Sequence, residues 1–394
     1  MLVTLLHPLH RTESRRTATS VIIATGVLMI GNGLLGSLLG VRAKAEGFST
    51  GLMGAANATY YLGFLFGTPL SVRLLHRLPR KICFTVFVLS LALAALMYGV
   101  LVSGPAWIGL RLLTGLSLGG MYVVVESWLN DLASNATRGR LIAAYVAVVS
   151  GGIGLGQLLL NVASITSVTP FVIAAGGTAV ATLIVIRVPA TRALITEESH
   201  VSILEVLRLV PSGAIAMMLV GLSQSAILTM TPVWATRAGL SSHDVAKAMI
   251  AITLGIVVFQ VPAGVIADRM SRRLLFVALA IGGGLSCVAL LQTTPGSLLS
   301  LGAFTLLGGL NTPLYALANA YTNDWLPADK VVAASSVLLN LYALGAITGP
   351  LVTASWMNLV GSHGFFWALL AVHGVLAAFM TVRIIVAPDH LATT

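Results

Sequence analysis

Twelve runs of about 20 mostly apolar residues, each long enough to carry a helix across the hydrocarbon core of a bilayer, constrain this chain more than any motif in it. The first six cover residues 18–39, 51–72, 82–102, 106–129, 141–162 and 168–186. The second six cover 213–234, 245–266, 274–291, 297–320, 332–356 and 365–386. No run alternates as a barrel strand would, so helices must satisfy the backbone in lipid. Only 9% of the 394 residues are charged and 57% are apolar, against roughly 25% charged in a soluble domain. So few charges cannot clothe a water-facing surface. A soluble globule, a disordered chain and a disulfide-stapled secreted domain are excluded. The net charge of +10 would suit a nucleic-acid binder, but the basic residues sit in short loops beside apolar runs, where they set orientation instead. Cys83 and Cys287 both lie in apolar runs and form neither a disulfide framework nor a metal-ligand pattern. No metal and no cofactor is expected.

An even number of crossings puts both termini on one side. With the N-terminus cytoplasmic, seventeen Lys and Arg residues fall in inside segments. Only Arg42, Lys44, Arg237 and Lys247 fall outside, and Arg111 lies within a run. This bias follows the positive-inside rule and predicts a cell (inner) membrane protein with cytoplasmic termini. The expected organisation is a tail over 1–17, a six-helix bundle over 18–188, a linker over 189–212, a second bundle over 213–386 and a tail over 387–394. Within the linker, Ser202 and Glu205 fit a capping box, which predicts a short amphipathic helix.

Shifting the chain by 192 or 193 residues superposes its halves. Asn32 falls on Gln224, Gly47-Phe-Ser on Gly239-Leu-Ser, and Gly63 on Gly255. The string HRLPRK (76–81) lies over DRMSRR (268–273). With one extra residue, Asn130-Asp131 lies over Asn323-Asp324, and Gly152 and Gly156 over Gly345 and Gly349. Six matches in order under one slowly drifting offset indicate a parallel repeat, whose substrate site is expected at the midplane between the halves. Glycines four apart (Gly36/Gly40, Gly63/Gly67, Gly115/Gly119, Gly152/Gly156, Gly345/Gly349) predict close helix contacts within each bundle.

The arrangement resembles the major facilitator superfamily over essentially the whole chain. Its loop signature of Gly, Asp-Arg and a basic pair is matched by Gly264, Asp268, Arg269, Arg272 and Arg273. The first-half copy is degraded, with Val72 and His76 where Gly and Asp are expected. The superfamily's fourth-helix signature is met by Arg111 and Gly115. YVVVESWLN (122–130), RGRLIAAY (138–145) and GQLL (156–159) look like the YcaD-like group. The resemblance implies two pseudo-symmetric six-helix bundles with helices one, four, seven and ten lining a central cavity. Drug/proton antiporters of the superfamily carry a Gly-Pro pair in the fifth helix; here that place reads Gly156-Gln157, which counts against drug efflux.

An ionisable side chain in a crossing helix costs about 2.5–3.5 kcal/mol at its centre on insertion scales. Arg111 and Glu126 therefore need a reason. Glu126 shares a helical face with Gly115, Gly119 and Tyr122. A carboxylate away from water is a candidate proton carrier; the alternative is a gate residue paired with Arg138 or Arg140. Arg111 lies about 22 Å of helix from Glu126, so the two cannot pair. It can meet an anionic substrate, tune a proton site, or snorkel to headgroups. Asn32 and Gln224, and Asn319 at the position equivalent to Glu126, can bind a polar substrate or hydrogen-bond between helices. Tyr60, Tyr61, Trp234 and Tyr342 read more simply as interface anchors.

Asp268 with Arg269, Arg272 and Arg273, and Asp131 with Arg138 and Arg140, can form ion pairs that differ between two states and so set their balance. Plain orientation is the alternative. GNGLLG (31–36) and GLSLG (115–119) match dinucleotide and nucleophile-elbow patterns, but inside helices and without partners they read as packing glycines. His373 reads as a packed neutral residue. The expectation is a secondary transporter, not an enzyme, moving a small solute by alternating access with protons as coupling ion, working as a monomer. Drug efflux and a non-transporting sensor or scaffold are the rivals.

Overall fold

The computed structural model describes residues 12–133, 138–192, 204–205, 209–267, 269–323 and 331–386. The expected linker helix and both terminal tails fall largely outside them. The described residues form thirteen α-helices and no strand. The first seven are α1 (Thr12–Ala45), α2 (Thr50–Arg77), α3 (Arg80–Val100), α4 (Gly104–Leu132), α5 (Arg138–Leu158), α6 (Thr169–Ile186) and α7 (Pro211–Arg237). After them come α8 (Ser242–Ala267), α9 (Arg272–Gln292), α10 (Leu298–Asn311), α11 (Pro313–Asn323), α12 (Val331–Val360) and α13 (Gly364–Val386).

These helices match the twelve apolar runs, the tenth being divided into α10 and α11. Eleven stretches among the described residues are long and apolar enough to cross a membrane. The stretch that falls short is α2, where Asn57, Thr59, Tyr60 and Tyr61 dilute an otherwise apolar helix. The tenth run divides at Thr312, directly before Pro313, where the proline ring lacks an N–H and crowds the preceding turn; Pro69, Pro232, Pro262 and Pro350 lie inside continuous helices.

The helices fall into two compact units, one drawn from Met1–Phe48 and Thr59–Thr196, the other from Ser49–Ala58 and Glu197–Thr394. In the first, α1 packs on α5 and α6, and α3 on α4 and α6; in the second, α7 packs on α12, and α9 on α10 and α13. The first core gathers Phe84, Phe87, Met121, Trp128 and Tyr145 around α1. The second gathers Met217, Phe276, Leu314, Tyr321 and Met380. Trp234, read as an interface anchor, is instead a core residue: it is 3% exposed and meets Phe304, Phe365 and Phe366 at ring separations of 5.4, 6.1 and 4.8 Å.

The repeat holds at the level of single backbone contacts. A Cβ added at Gly63 would strike the Leu112 carbonyl oxygen, and one at Gly255 the Thr305 carbonyl oxygen. Gly115 faces the Tyr60 carbonyl as Gly308 faces that of Ile252. Gly152 and Gly156 abut the carbonyls of Gly26 and Ile30, while Gly345 and Gly349 abut those of Met218 and Leu222. Every pair is related by the same shift as the sequence. The helix ends agree too. Gly47 and Gly239 adopt φ of 74° and 86°, open to glycine without strain. Each closes its helix with a 6→1 bond, Phe48 N–H to Ala43 O at 2.8 Å and Leu240 N–H to Ala235 O at 3.0 Å. Gly36 departs from expectation, since a Cβ there meets nothing within 4 Å. It is no contact glycine.

Candidate functional site

Helix α4 carries four of the residues singled out by sequence. Pro105 occupies its first turn, where a missing N–H costs nothing, and it ends where Ala133 turns to extended backbone. Near its start, Arg111 is buried at 6% exposure, so its side chain does not snorkel outward. Its guanidinium lies 5.4 Å from the centre of the Tyr60 ring, a cation–π distance. Tyr98 shares a hydrogen bond of 3.1 Å with Thr114 Oγ1 and packs edge-on to Trp107 at 5.5 Å. Trp107 in turn meets Phe48 at 5.1 Å. Arg111 thus sits in an aromatic cluster built by α2, α3 and α4 and closed by Phe48 beyond the end of α1.

Farther along α4, the Tyr122 hydroxyl donates to the Met29 sulfur at 3.4 Å, and its ring lies 6.2 Å from that of Phe64. Glu126 follows one turn later and is exposed. It forms no ion pair among the described residues, and the side chains of Arg138 and Arg140 lie outside them. Tyr122 and Tyr145 are within electrostatic reach of Glu126. Asn32, on α1, is half-buried.

The end of α4 holds an ion pair that sequence reading missed. Asp131 accepts from Arg80 Nη2. Arg80, 2% exposed, also donates to Ser127 Oγ at 3.3 Å, Thr191 Oγ1 at 3.3 Å and the Arg192 carbonyl at 2.7 Å. One guanidinium therefore ties the start of α3 to the end of α4 and to the chain beyond α6.

In the second unit, Gln224 is buried on α7 and its Oε1 accepts from Asn311 Nδ2. Thr312 Oγ1 lies 3.4 Å from the same oxygen, and Ser223 Oγ donates to Asn311 Oδ1 at 2.7 Å. This amide network stands where α10 gives way to α11. Asn311 was overlooked in favour of Asn319, which is half-buried on α11; a polar residue two places before a proline in an apolar run was the usable clue. Of the second charged string, Arg273 is 4% exposed. It donates to the Tyr321 hydroxyl at 3.1 Å and lies 5.1 Å from that ring's centre. Arg272 is half-buried, Arg269 exposed, and Gly264 exposed with open space around it. Asp268 falls outside the described residues. Among the described residues no group of His, Cys, Asp or Glu is arranged to hold a metal.

The sequence profile of the Major Facilitator Superfamily matches residues 21–252 and 213–393. The protein named "Uncharacterized MFS-type transporter YcaD" from Escherichia fergusonii is 26% identical over 346 residues, 87% of this chain and 90% of that one. "Uncharacterized MFS-type transporter YE1530" from Yersinia enterocolitica is 26% identical over 384 residues, 95% of this chain and 97% of its own. The fold matches the crystal structure of a mutant of the nucleoside transporter NupG with a TM-score of 0.80 at 13% identity, covering 93% and 99% of the two chains. It also matches a bacterial homolog of the human lysosomal transporter Spinster, inward-facing and unoccupied, at 0.76 and 13%, over 94% and 97%. Two copies of one helical plan, matched glycine contacts and these likenesses agree: the chain belongs to the major facilitator superfamily, a family of membrane transporters.

Proposed function

We propose that this protein is a secondary active transporter that moves a small solute across the cell membrane by alternating access, drives it with protons, and works as a monomer. The observation that carries the coupling is Glu126, an acid without an ion-pair partner among the described residues, on a crossing helix and one turn from Tyr122. A group that gains and loses a proton there changes the charge of α4. A change that favours one conformation over the other converts a proton gradient into work on the solute. The side holding most Lys and Arg is taken as cytoplasmic. On that side Arg80 and Asp131 supply a contact whose making and breaking differs between states. Two units, each closed by its own glycine–carbonyl contacts, suit movement as rigid bodies.

The test reconstitutes the protein in vesicles containing a pH-sensitive dye and screens a library of neutral and charged solutes for solute-dependent proton movement. A responding solute is expected. Glu126→Gln is expected to abolish proton movement while retaining solute counterflow. Proton movement that survives this substitution, or that no solute provokes, overturns the reading.

A further inference from the structure

Four arginines are buried among the described residues: Arg42, Arg80, Arg111 and Arg273. Three of them donate to protein acceptors. Arg42 pairs with Glu46 at 2.7 Å and donates to the Ile165 carbonyl at 2.9 Å; Arg80 has Asp131 and its neighbours; Arg273 has Tyr321. Arg111 is the exception. Among the described residues no hydrogen bond leaves its guanidinium, whereas Arg42 and Arg273, whose buried Nε atoms likewise make no hydrogen bond, each donate through Nη; what Arg111 meets is the face of Tyr60. Among the described residues of its unit, no acid is placed to neutralise it. Glu46 is taken by Arg42 and Asp131 by Arg80, while Glu126 is about 22 Å away along α4. A buried ion without a counter-charge is costly.

One turn before Arg111, the Trp107 indole is 1% exposed and its Nε1 has no acceptor. Tyr60 and Tyr98 are both within electrostatic reach of the guanidinium. The cluster therefore offers unanswered donors, a positive charge and aromatic surface, but no negative group. We infer that Arg111 is the subsite for an anionic solute, specifically the carboxylate of a small organic monoacid. A monoanion cancels the single charge of the guanidinium, whereas a dianion such as phosphate would leave a net buried negative charge. The planar guanidinium also matches a carboxylate through two parallel hydrogen bonds. The Trp107 indole supplies a third donor, and the aromatic rings favour an acid with an apolar body.

This inference rests on the transporter reading and names its substrate class. The probes are acetate, butyrate and benzoate, each against its neutral amide, added to the protein in phosphatidylcholine nanodiscs while thermal unfolding is followed. At least one acid is expected to raise the midpoint by about 3 °C at saturating concentration, with no shift from its amide. Chloride serves as the inorganic arm and phosphatidylglycerol nanodiscs as the lipid arm; an equal shift from either overturns the assignment to an organic acid. Arg111→Gln is expected to lose the shift and Arg111→Lys to keep part of it. Without ligand, Arg111→Gln is expected to melt no lower than the wild type, since it removes an uncompensated charge. Acids that act no differently from their amides, or that shift Arg111→Gln equally, overturn the inference. Proton movement driven by a neutral solute would then leave the transporter reading standing.

Discussion

At the residue scale, the buried amides Gln224 and Asn311 expose how hydrogen bonds are valued in this protein. Removing one partner strands the other, and an unsatisfied buried group costs about 1–3 kcal/mol. Gln224→Leu and Asn311→Leu are each expected to destabilise by about that amount, and the double variant by clearly less than their sum. Reversible unfolding of purified protein in mild detergent measures the cycle; strict additivity would show that the bond contributes nothing. Sequence drew attention to Arg111 and Glu126 because they are out of place by charge. Arg80 was not, because a cation in a loop rich in cations is already explained by orientation. Its burial at 2% and its bond to Asp131 arise from folding that no local pattern encodes. Asn311 was missed because repeat equivalence pointed to Asn319, whereas the amide that meets Gln224 is the last residue of α10, two places before Pro313.

At the element scale, glycine spacing located most helix contacts. Gly63, Gly115, Gly152 and Gly156 all meet a facing carbonyl, as their four-residue periodicity implied. Gly36 satisfies the same spacing with open space before it, since spacing marks a face without saying whether another helix covers it. The two cases predict opposite outcomes. Gly36→Ala is expected to be neutral or to stabilise by up to about 1 kcal/mol, through the lower backbone entropy of alanine in a helix. Gly156→Ala must push α5 away from α1 and is expected to cost about 1–3 kcal/mol. Melting midpoints of the two variants decide this, and equal shifts would refute the packing account. Trp234 illustrates the other limit of reading elements singly: a position near a helix end suggested a lipid interface, but three phenylalanines from other helices enclose it.

For the whole molecule, twelve apolar runs and an offset near 192 gave the helix count and the duplication, because bilayer thickness fixes helix length and a repeat makes the second half copy the first; the signature motifs supplied the family and with it the fold. Orientation is the part that rests on charge bias alone, and it gives a direct prediction. Cys83 and Cys287 are both buried, so the wild type is expected to resist a membrane-impermeant maleimide on intact cells. Lys44→Cys is expected to label on intact cells, and Arg269→Cys only after permeabilisation. The reverse pattern would invert the topology and turn the Arg80–Asp131 contact to the outer face.

The offset changes between the third and fourth helices of each half. Helices α3 and α9 keep a spacing of 192 to their last residues, Val100 and Gln292, while the Leu112 and Thr305 carbonyls that receive Gly63 and Gly255 stand 193 apart. The one-residue difference therefore falls between 293 and 304, matching 101–111 in the first half, a stretch that opens with the turn containing Gly296 at φ 83°. Inside a helix, one insertion would rotate every later side chain by about 100° and swing the downstream glycines off their carbonyls. Lodged in a bend, it leaves the angular phase of α10 and α12 intact, so that Gly308, Gly345 and Gly349 still meet their carbonyls. Here the two halves differ in length where the chain reverses, and a hairpin tip took up a change that within a crossing helix would have turned every later contact.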